Sequence, residues 1–447
     1  MNTRNLFLLA LAGFTSGVLS EILDDFKNPD TNARGNYHGC DVIEGISCTW
    51  GDDGLTIKSL DTDFSFYSQF DNGGCQDVTS WENQYIHVRF SGDPNFSIAM
   101  QQNNPGCSTE QAPYPETWDI VYAADYSDKS DIYIPVSHFN INKGRAVGLA
   151  FKAFRNAGAE TKLSLIETVA ALPAGRSVPE KKPTGPLYFA CTRPNSIAFG
   201  IDDGVQEFAQ DIMKIIKEEG IKVTFFTVGQ ALDDPALNFT TVYKEAVADG
   251  HQVCPPMPLF HPSTRYLHPS AIQIALHSYT HPKIEGLQDI SAIDDEFKRS
   301  HDATLRNLGV NSKYSLPSFL TPSAPSTSLT LLWHNRYFRA PYGTDGALTR
   351  QRLQANVPGA KVINWSVDIQ DWIYGPSDTG SQQSDAVKND LAKGGNLYVA
   401  HYLYPSTVAQ FKNFIQLAKA TGKQIMRIDQ CLSPSPFELS PRGVLMS

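Results

Sequence analysis

Two histidines spaced four residues apart, His277 and His281, are well suited to hold a metal ion. Imidazoles at this spacing can bind one cation, and an added carboxylate completes the set typical of catalytic metals with open coordination positions. The residue after His277 is Ser278 rather than glutamate, so the pair does not match the helical metalloprotease motif. Taken alone, the two histidines could also be a coincidental surface pair.

The adjacent acids Asp202 and Asp203 follow a buried-strand pattern and could supply the missing carboxylate. Taken alone, such a pair more often solvates a turn. Other residues able to do chemistry follow later strand-like runs, namely Arg339, Asp368, Asp371 and His401. Because the carboxyl ends of parallel strands converge on one face of a barrel, we expect these distant residues to share one cleft.

The second half of the sequence has an α/β texture from Ile197 onward, where buried-strand runs alternate with helical stretches. The apolar spacing predicts a helix over 206–219 that ends at Gly220. Strands are predicted at 222–229, 274–276, 337–338, 361–367, 396–400 and 424–428. About seven strand and helix units would form an incomplete or distorted (β/α) barrel, which we assign to residues 185–447.

The first half consists of short alternating segments separated by Gly, Asp, Asn and Pro, which predict antiparallel strands. We expect an all-β domain over 21–171, with a jelly-roll-like sandwich as its fold. Its aromatic residues could form a platform for sugar rings, or they could fill the sandwich core: Trp50, Trp81, Trp118 and Tyr122. The polar, proline-rich stretch 172–184 is predicted to be a linker.

The ends, cysteines and charge predict an exported protein. Residues 1–20 combine Arg4, a short apolar run and small residues, the pattern of a signal peptide, and the run is too short to span a bilayer. Seven cysteines suggest disulfides, with Cys254 as the odd one. The formal charge of −10 argues against a nucleic-acid partner. We expect a monomer that is secreted to the extracellular space or cell wall, with sequons at Asn95 and Asn238 as glycan sites.

Five motifs, in order, resemble those of the polysaccharide deacetylases of carbohydrate esterase family four, most nearly the fungal chitin deacetylases. They are Asp202-Asp203-Gly204, His277-Ser-Tyr-Thr-His281, Arg339-Ala-Pro-Tyr342, Asp368-Ile-Gln-Asp371-Trp372 and Val399-Ala-His401. The resemblance covers roughly Gly185 to Cys431, and the first half lies outside it. It implies hydrolysis of N-acetyl groups on an N-acetylglucosamine polymer such as chitin.

The resemblance also implies a role for each motif residue. Asp202 would be the general base and His401 the general acid. Asp203, His277 and His281 would bind a divalent metal, with zinc expected and cobalt or manganese as alternatives. An amide carbonyl is a poor electrophile, so a metal that polarises it and activates water fits this chemistry.

Four further residues complete the implied site. Arg339 would hold Asp202, and Asp368 would orient His401. Tyr342 and Trp372 would form the apolar, substrate-binding wall around the acetyl methyl group, or they could belong to the core. In the first motif, Ile201 and Val205 replace the usual residues, which affects the shape of the cleft and the choice of substrate rather than metal binding.

Two segments interrupt the motifs. Residues 253–273 separate a strand from the histidines that it should deliver, and proline this dense cannot continue a parallel strand. Residues 314–336 likewise interrupt the approach to Arg339. Our hypothesis is that both are translated introns, which sequencing of the transcript across the junctions would test. Alternatively they are substrate loops, or His261 and His268 are additional metal ligands.

Two other functions remain open from the sequence. One is an O-acetyl esterase of the same family that acts on a xylan-type polysaccharide. The other is a non-catalytic carbohydrate-binding protein with a degenerate deacetylase domain, although the intact acids and histidines argue against it. The sequence has no Gly-x-Ser-x-Gly motif, so a serine hydrolase is not supported.

Overall fold

The computed structural model describes residues 20–250, 275–308, 337–377 and 379–432. These residues form an all-β domain followed by an α/β domain. The signal peptide predicted for residues 1–20, apart from Ser20, and the two interrupting segments lie outside the described residues, as do Cys254, His261 and His268. The predictions made for them therefore stay predictions.

The first domain contains twelve described strands and one short helix. They are β1 (Glu21–Asp24), β2 (His38–Cys40), β3 (Ile46–Gly51), β4 (Gly54–Ser59), β5 (Ser65–Gln69), β6 (Tyr85–Gly92), β7 (Ser97–Gln102), β8 (Thr117–Tyr122), α1 (Ala123–Tyr126), β9 (Ser127–Asp128), β10 (Asp131–Pro135), β11 (Ala146–Lys152) and β12 (Glu160–Val169). One sheet has the order β3-β4-β12-β6-β10-β9, with β1 also paired to β12, and the other has the order β2-β5-β11-β7-β8. Every pairing is antiparallel, so the all-β prediction is confirmed.

The two sheets of the first domain share one hydrophobic core. Ile86 and Val88 of β6 in the larger sheet are buried in the same cluster as Ile98, Met100 and Phe151 of the smaller sheet. Successive side chains of a strand point to opposite faces, and this alternation lets each sheet bury one face against the other. The jelly-roll connectivity stays a prediction.

The aromatic residues proposed as a sugar platform are divided between two hydrophobic clusters. Trp81 is buried in the sandwich core, and Trp50 packs against that core with its ring 4.4 Å from that of His38. Trp118 and Tyr122 belong to a second cluster at the boundary with the second domain, where the ring of Trp118 is 4.8 Å from that of Phe189.

The second domain alternates strands and helices. They are β13 (Leu187–Tyr188), β14 (Ser196–Gly204), α2 (Gln206–Glu218), β15 (Thr224–Thr227), α3 (Gly229–Asp233), α4 (Phe239–Ala248), β16 (Ala275–Leu276), α5 (Ile290–Leu308), β17 (Tyr337–Phe338), α6 (Ala347–Asn356), β18 (Lys361–Ile363), β19 (Val367–Asp368), α7 (Asp371–Tyr374), α8 (Gly380–Ala392), β20 (Leu397–Tyr402), α9 (Pro405–Ala420), β21 (Gln424–Ile425) and α10 (Ile428–Cys431). The parallel strands run in the order β13-β18-β17-β16-β15-β14-β20-β19, with β21 beside β14. This open path is the incomplete α/β barrel that the sequence predicts.

Helix α2 illustrates why the strongest sequence pattern is also the most accurate. Its buried stripe consists of Ala209, Ile212, Met213 and Ile216, which follow helical spacing. The helix ends before Gly220, whose φ of +67° is a left-handed conformation that glycine adopts without strain.

Two predicted strands differ from the structure. The run 361–367 is two short strands, because β18 pairs with β13 and β17 whereas β19 pairs with β20, so the chain crosses the open sheet between them. The carbonyls of Ile363 and Asn364 accept hydrogen bonds from the guanidinium of Arg339 instead of from a strand. Similarly, the run 424–428 ends at Ile425, and Ile428 begins α10.

The stretch 172–184, predicted as a linker, contacts the first domain. Arg176 donates to the carbonyl of Tyr126 at 2.8 Å, and the hydroxyl of Thr184 donates to Asp119 at 2.8 Å. Lys181 also pairs with Asp119. These contacts hold the stretch against the first domain.

Three disulfides join described cysteines: Cys40–Cys48, Cys75–Cys107 and Cys191–Cys431. The last one links the beginning of the α/β domain to α10, the last of the described helices. In the described residues, no helix has the length and apolar character needed to cross a bilayer.

Candidate metal centre

Asp202 lies near the carboxyl end of β14 and is fixed by a buried arginine. Its Oδ1 accepts a hydrogen bond from Nη1 of Arg339 at 2.6 Å, and both side chains are almost fully buried. Its Nε donates to the carbonyl of Ile363, and its Nη2 donates to those of Asn364 and Tyr398. Arg339 therefore compensates the charge of Asp202 and sets its orientation.

Asp203, His277 and His281 bring three possible ligand atoms within 4.8 Å of one another. The two Nε2 atoms are 3.2 Å apart, and Nε2 of His281 is 3.9 Å from Oδ2 of Asp203. Because zinc binds nitrogen and oxygen at about 2.0–2.2 Å, this spread is close to that of a single cation site.

The hydrogen bonds of the three residues fit a metal. Nδ1 of His277 lies 2.8 Å from the carbonyl oxygen of Arg339, so this nitrogen must carry the proton and Nε2 is left with its lone pair. Burial, and then the neighbouring His277, lower the pKa of His281, which favours the neutral imidazole that binds metals. Oδ1 of Asp203 is buried and has no hydrogen-bond partner among the described residues. A divalent cation would satisfy these donor atoms.

The loop that carries the histidines is held by Glu296 of α5, which the sequence analysis missed. Oε2 of Glu296 accepts from the backbone N–H groups of Tyr279 and Thr280, both at 2.8 Å, and Oε1 accepts from the Thr280 hydroxyl. Glu296 lies on the buried face of α5, where an apolar residue is expected. An acidic residue at a position of the helix that should be buried is the sequence feature that could have identified it. The loop needs this support because Ser278 and His281 have φ of 68° and 61°.

His401, near the end of β20, lies beside Asp203, one of the three candidate ligands. Its Nε2 lies 3.8 Å from Oδ1 of Asp203. Its Nδ1 lies 2.8 Å from Oδ1 of Asp371, and its backbone N–H donates to Oδ2 at 2.7 Å. Burial alone would lower the pKa of His401, but the charge and hydrogen bond of Asp371 outweigh it and raise the pKa to about 10. The imidazole is therefore held in the protonated form.

The expectation that Asp368 orients His401 is wrong, because Asp371 occupies that position. Gln370 adopts φ of 54°, and this turn starts α7 with the carboxylate of Asp371 directed at His401. Asp368 is instead paired in register with Val399 and accepts from the backbone N–H of Gln370 at 2.7 Å. Burial raises the pKa of Asp368.

Tyr342 and Trp372 lie at the rim of the cleft. Each is 60% exposed, which excludes the core position that the sequence left open. The ring of Tyr342 meets that of His281 edge-on at 4.9 Å, and Tyr342 also has a left-handed backbone with φ of 60°. Their exposed faces are available to a ligand.

The comparisons with known proteins agree with this geometry. Residues 190–332 match the family model described as Polysaccharide deacetylase. A chitin deacetylase of Pestalotiopsis sp is 25% identical over 251 residues, which is 56% of this chain and 68% of that protein. A chitin deacetylase of Colletotrichum lindemuthianum is 24% identical over 286 residues, 62% of this chain and 95% of that protein.

A bacterial relative and a solved structure extend the comparison. The peptidoglycan-N-acetylglucosamine deacetylase of Bacillus cereus is 21% identical and covers 62% of this chain and 85% of its own length. The solved chitin deacetylase from the fungal pathogen Colletotrichum lindemuthianum aligns with a TM-score of 0.42 and 19% identity, over 57% of this chain and 95% of that structure. The family match lies in the second domain and includes Asp202, Asp203, His277 and His281.

Proposed function

We propose that this chain is a metal-dependent hydrolase that removes N-acetyl groups from an N-acetylglucosamine polymer of the chitin type. The observation that carries the proposal is the facing arrangement of Asp202 and Asp203, the two histidine ligands and His401 in one cleft. The curated relatives that are chitin and peptidoglycan-N-acetylglucosamine deacetylases support an N-acetyl amide substrate.

Asp203, His277 and His281 would hold the cation, with zinc the expected ion and cobalt or manganese as alternatives. When bound, a divalent cation supplies Lewis acidity that polarises the acetyl carbonyl and makes water easier to deprotonate. Nε2 of His277 is available for this role because its Nδ1 proton is committed to the carbonyl of Arg339.

Asp202 acts as the general base. One of its oxygens is fixed by Arg339 at 2.6 Å, which leaves Oδ2 to take the proton of the attacking water. Water attacks the acetyl carbon, and Asp202 receives the proton that the water loses.

His401 acts as the general acid. The nitrogen leaves as an amine only if it is protonated, and the Asp371 carboxylate at Nδ1 keeps a proton available at Nε2. Breaking of the C–N bond then gives acetate and the free amine of the sugar. An ester oxygen leaves with less help from an acid, so this built-in proton donor favours an amide over the O-acetyl ester of a xylan-type substrate.

The exposed rim would hold the sugar. Tyr342 and Trp372 offer aromatic faces beside the ligands and form the wall around the acetyl methyl group. The backbone N–H of Tyr342 would donate to the developing oxyanion. Both aromatic residues contact substrate in this proposal, so their replacement should raise KM.

The test is acetate release from N-acetylglucosamine oligomers, with zinc or cobalt added to the purified full-length protein. Asp202→Asn should reduce the release by at least about 10³-fold, while binding of the oligomer persists. Asp211→Asn, which changes an exposed acid of α2, is the matched control and should behave as wild type. Undiminished release by Asp202→Asn, or release from xylan acetate alone, would contradict the proposal.

The protein is expected outside the cell, which its three disulfides support. A monomeric state is part of the same proposal, and sedimentation of the purified protein would test it. A non-catalytic carbohydrate-binding role is the outcome if correctly spliced, metal-loaded protein binds oligomers but releases no acetate.

A further inference from the structure

A cavity of about 470 Å³ lies between the smaller sheet of the first domain and Phe189, just after β13 of the second domain. It is separate from the residues assigned above to the metal and to catalysis. Five of its eleven lining residues are aromatic: Tyr37, Tyr67, Tyr114, Trp118 and Phe189. Its volume falls within the range of about 300–1,000 Å³ that is common for pockets that bind small molecules.

The strand register explains how the cavity forms. Strand β11, in the middle of the sheet, lines the cavity with the small residue Ala150, and Gly148 lies on the same face of the strand. Ala150 is paired with Tyr67 of β5. On the other side of β11, Gly148 is paired with Gln101 of β7, and Gln101 is in turn paired with Trp118 of β8. Small residues on the central strand and large aromatic residues on the outer strands leave a groove with aromatic walls.

The polar groups of the cavity point to an uncharged ligand. Lys152 lies 4.3 Å above the Trp118 ring, but its charge is already paired with Asp345 at 3.0 Å. Gln101 lines the cavity and is 8% exposed, and its side-chain amide forms no hydrogen bond with another described residue. The amide can therefore donate to and accept from a ligand in the cavity.

We propose that this cavity binds one saccharide unit of the polymer that the metal cleft deacetylates, a suggestion that rests on the proposed function. A pyranose ring has apolar C–H faces that pack on aromatic rings, and hydroxyl and acetamido groups that can pair with the amides of Gln69 and Gln101. It carries no charge, in agreement with the paired state of Lys152.

The cavity is linked to the catalytic rim by a short path. Asp345, which accepts from Nε1 of Trp118 at 3.2 Å, is three residues beyond Tyr342. Lys283 lies 5.5 Å from the Tyr342 ring and pairs with Asp63 of the first domain at 2.6 Å. The first domain therefore contacts the rim of the metal cleft through Asp63, and Asp345 joins Trp118 of the cavity to the segment that carries Tyr342.

The test measures binding of the hexamer of N-acetylglucosamine by calorimetry, with full-length Asp202→Asn protein so that the ligand is not consumed. Tyr37→Ala and Gln101→Ala, each in this background, should raise Kd about tenfold. Tyr37 is substantially exposed, so its replacement should not affect folding. Tyr85→Ala, on the larger sheet away from the cavity, is the matched control and should change Kd less than twofold.

Each outcome decides between the possibilities. If neither cavity variant weakens binding, or if Tyr85→Ala weakens it equally, the inference is wrong. If wild-type protein releases no acetate but hexamer binding still depends on Tyr37 and Gln101, the saccharide site stands and the proposed function fails. If acetate is released and binding is independent of both residues, the proposed function stands and the cavity does not bind the polymer.

Discussion

Buried charges at the boundary between the domains and in the metal cleft differ in how completely they are paired and hydrogen-bonded. At the boundary between the domains, Arg350 of α6 is buried and donates to the carbonyls of Trp118, Thr184 and Gly185. It also lies 3.5 Å from Asp345 and 3.9 Å from Asp119. Its hydrogen-bonding capacity and its charge are thus matched.

In the metal cleft the matching is incomplete. Asp203 leaves Oδ1 buried without a partner among the described residues, and two imidazole nitrogens face each other at 3.2 Å. Burial of charge therefore does not by itself mark function, since the domain boundary is as buried as the cleft. The difference lies in the donor and acceptor capacity left over after folding, which is available to a metal or substrate.

The comparison predicts that changes in the cleft affect activity and changes at the boundary affect stability. The largest effect is expected for Asp203→Asn, which removes a metal ligand. Acetate release should fall by about 10³-fold or more, and metal content should drop in parallel, whereas the unfolding free energy should stay the same or rise. Chelation of wild-type protein should mimic this loss. If Asp203→Asn retained both metal and activity, the proposed difference between the cleft and the domain boundary would be wrong.

The opposite pattern is expected for Arg350→Met at the boundary. Loss of the guanidinium leaves Asp119 and Asp345 partly unpaired, so the unfolding free energy measured with urea should fall by about 3–5 kcal/mol. Acetate release per folded molecule should remain within about twofold of wild type. Arg352→Met, on the same helix and paired with Asp294 in a more exposed position, should cost about 1 kcal/mol or less. Equal costs for both variants would contradict the comparison.

A smaller effect separates two acids that are both close to the acid histidine. Asp371→Asn should lower kcat by about 10²-fold with little change in KM, because His401 loses its orientation and its proton affinity. Asp368→Asn should lower kcat less than tenfold, since Asp368 accepts from the backbone of Gln370 and the side chain of Trp372 rather than from His401. A reversal of this order would restore the assignment made from the sequence.

The smallest effect is expected where the two regions meet. Lys283 pairs with Asp61 and Asp63 and lies beside Tyr342, but about one-third of its side chain is exposed. Lys283→Met should therefore change the free energy of unfolding by less than about 1 kcal/mol and should raise KM only a few-fold. Because salt screens the charges of these pairs in the wild type, the difference in KM between the two proteins should shrink at high salt. Lys298→Met, a change at an exposed lysine of α5, is the control and should leave KM unchanged.

The sequence predicted what periodicity and local spacing determine. The helix at 206–219 and the strand before Asp202 follow strong patterns, and the convergence of Asp202, Asp203, both histidines and His401 follows from the common edge of parallel strands. These features need only local information and one topological rule.

Other features depend on contacts that a sequence pattern does not contain. The strand at 361–367 is broken where the carbonyls of Ile363 and Asn364 accept hydrogen bonds from the guanidinium of Arg339, which is 24 and 25 residues earlier in the sequence. The choice of Asp371 over Asp368 depends on a single left-handed residue, Gln370. The support that Glu296 gives to the histidine loop depends on how α5 packs.

The two interrupting segments each precede a strand that delivers a residue of the site. Residues 253–273 and 314–336 precede the short strands β16 and β17, which deliver His277 and Arg339. We retain the proposal that both are translated introns, and transcripts that keep them would refute it. In that case, His261 and His268 would need to be tested as ligands by substitution.

Four residues beside the cleft, Ser278, His281, Tyr342 and Gln370, adopt left-handed backbone conformations without being glycine. Such conformations cost about 1 kcal/mol or more for most side chains. An engineer who seeks a heat-resistant variant would be drawn to these positions, where glycine or asparagine relieves the backbone. Three of these residues have a role in the proposed site: His281 is a proposed metal ligand, Tyr342 lies at the rim, and Gln370 forms the turn that directs Asp371 at His401. A screen for thermal tolerance alone would therefore tend to select inactive proteins.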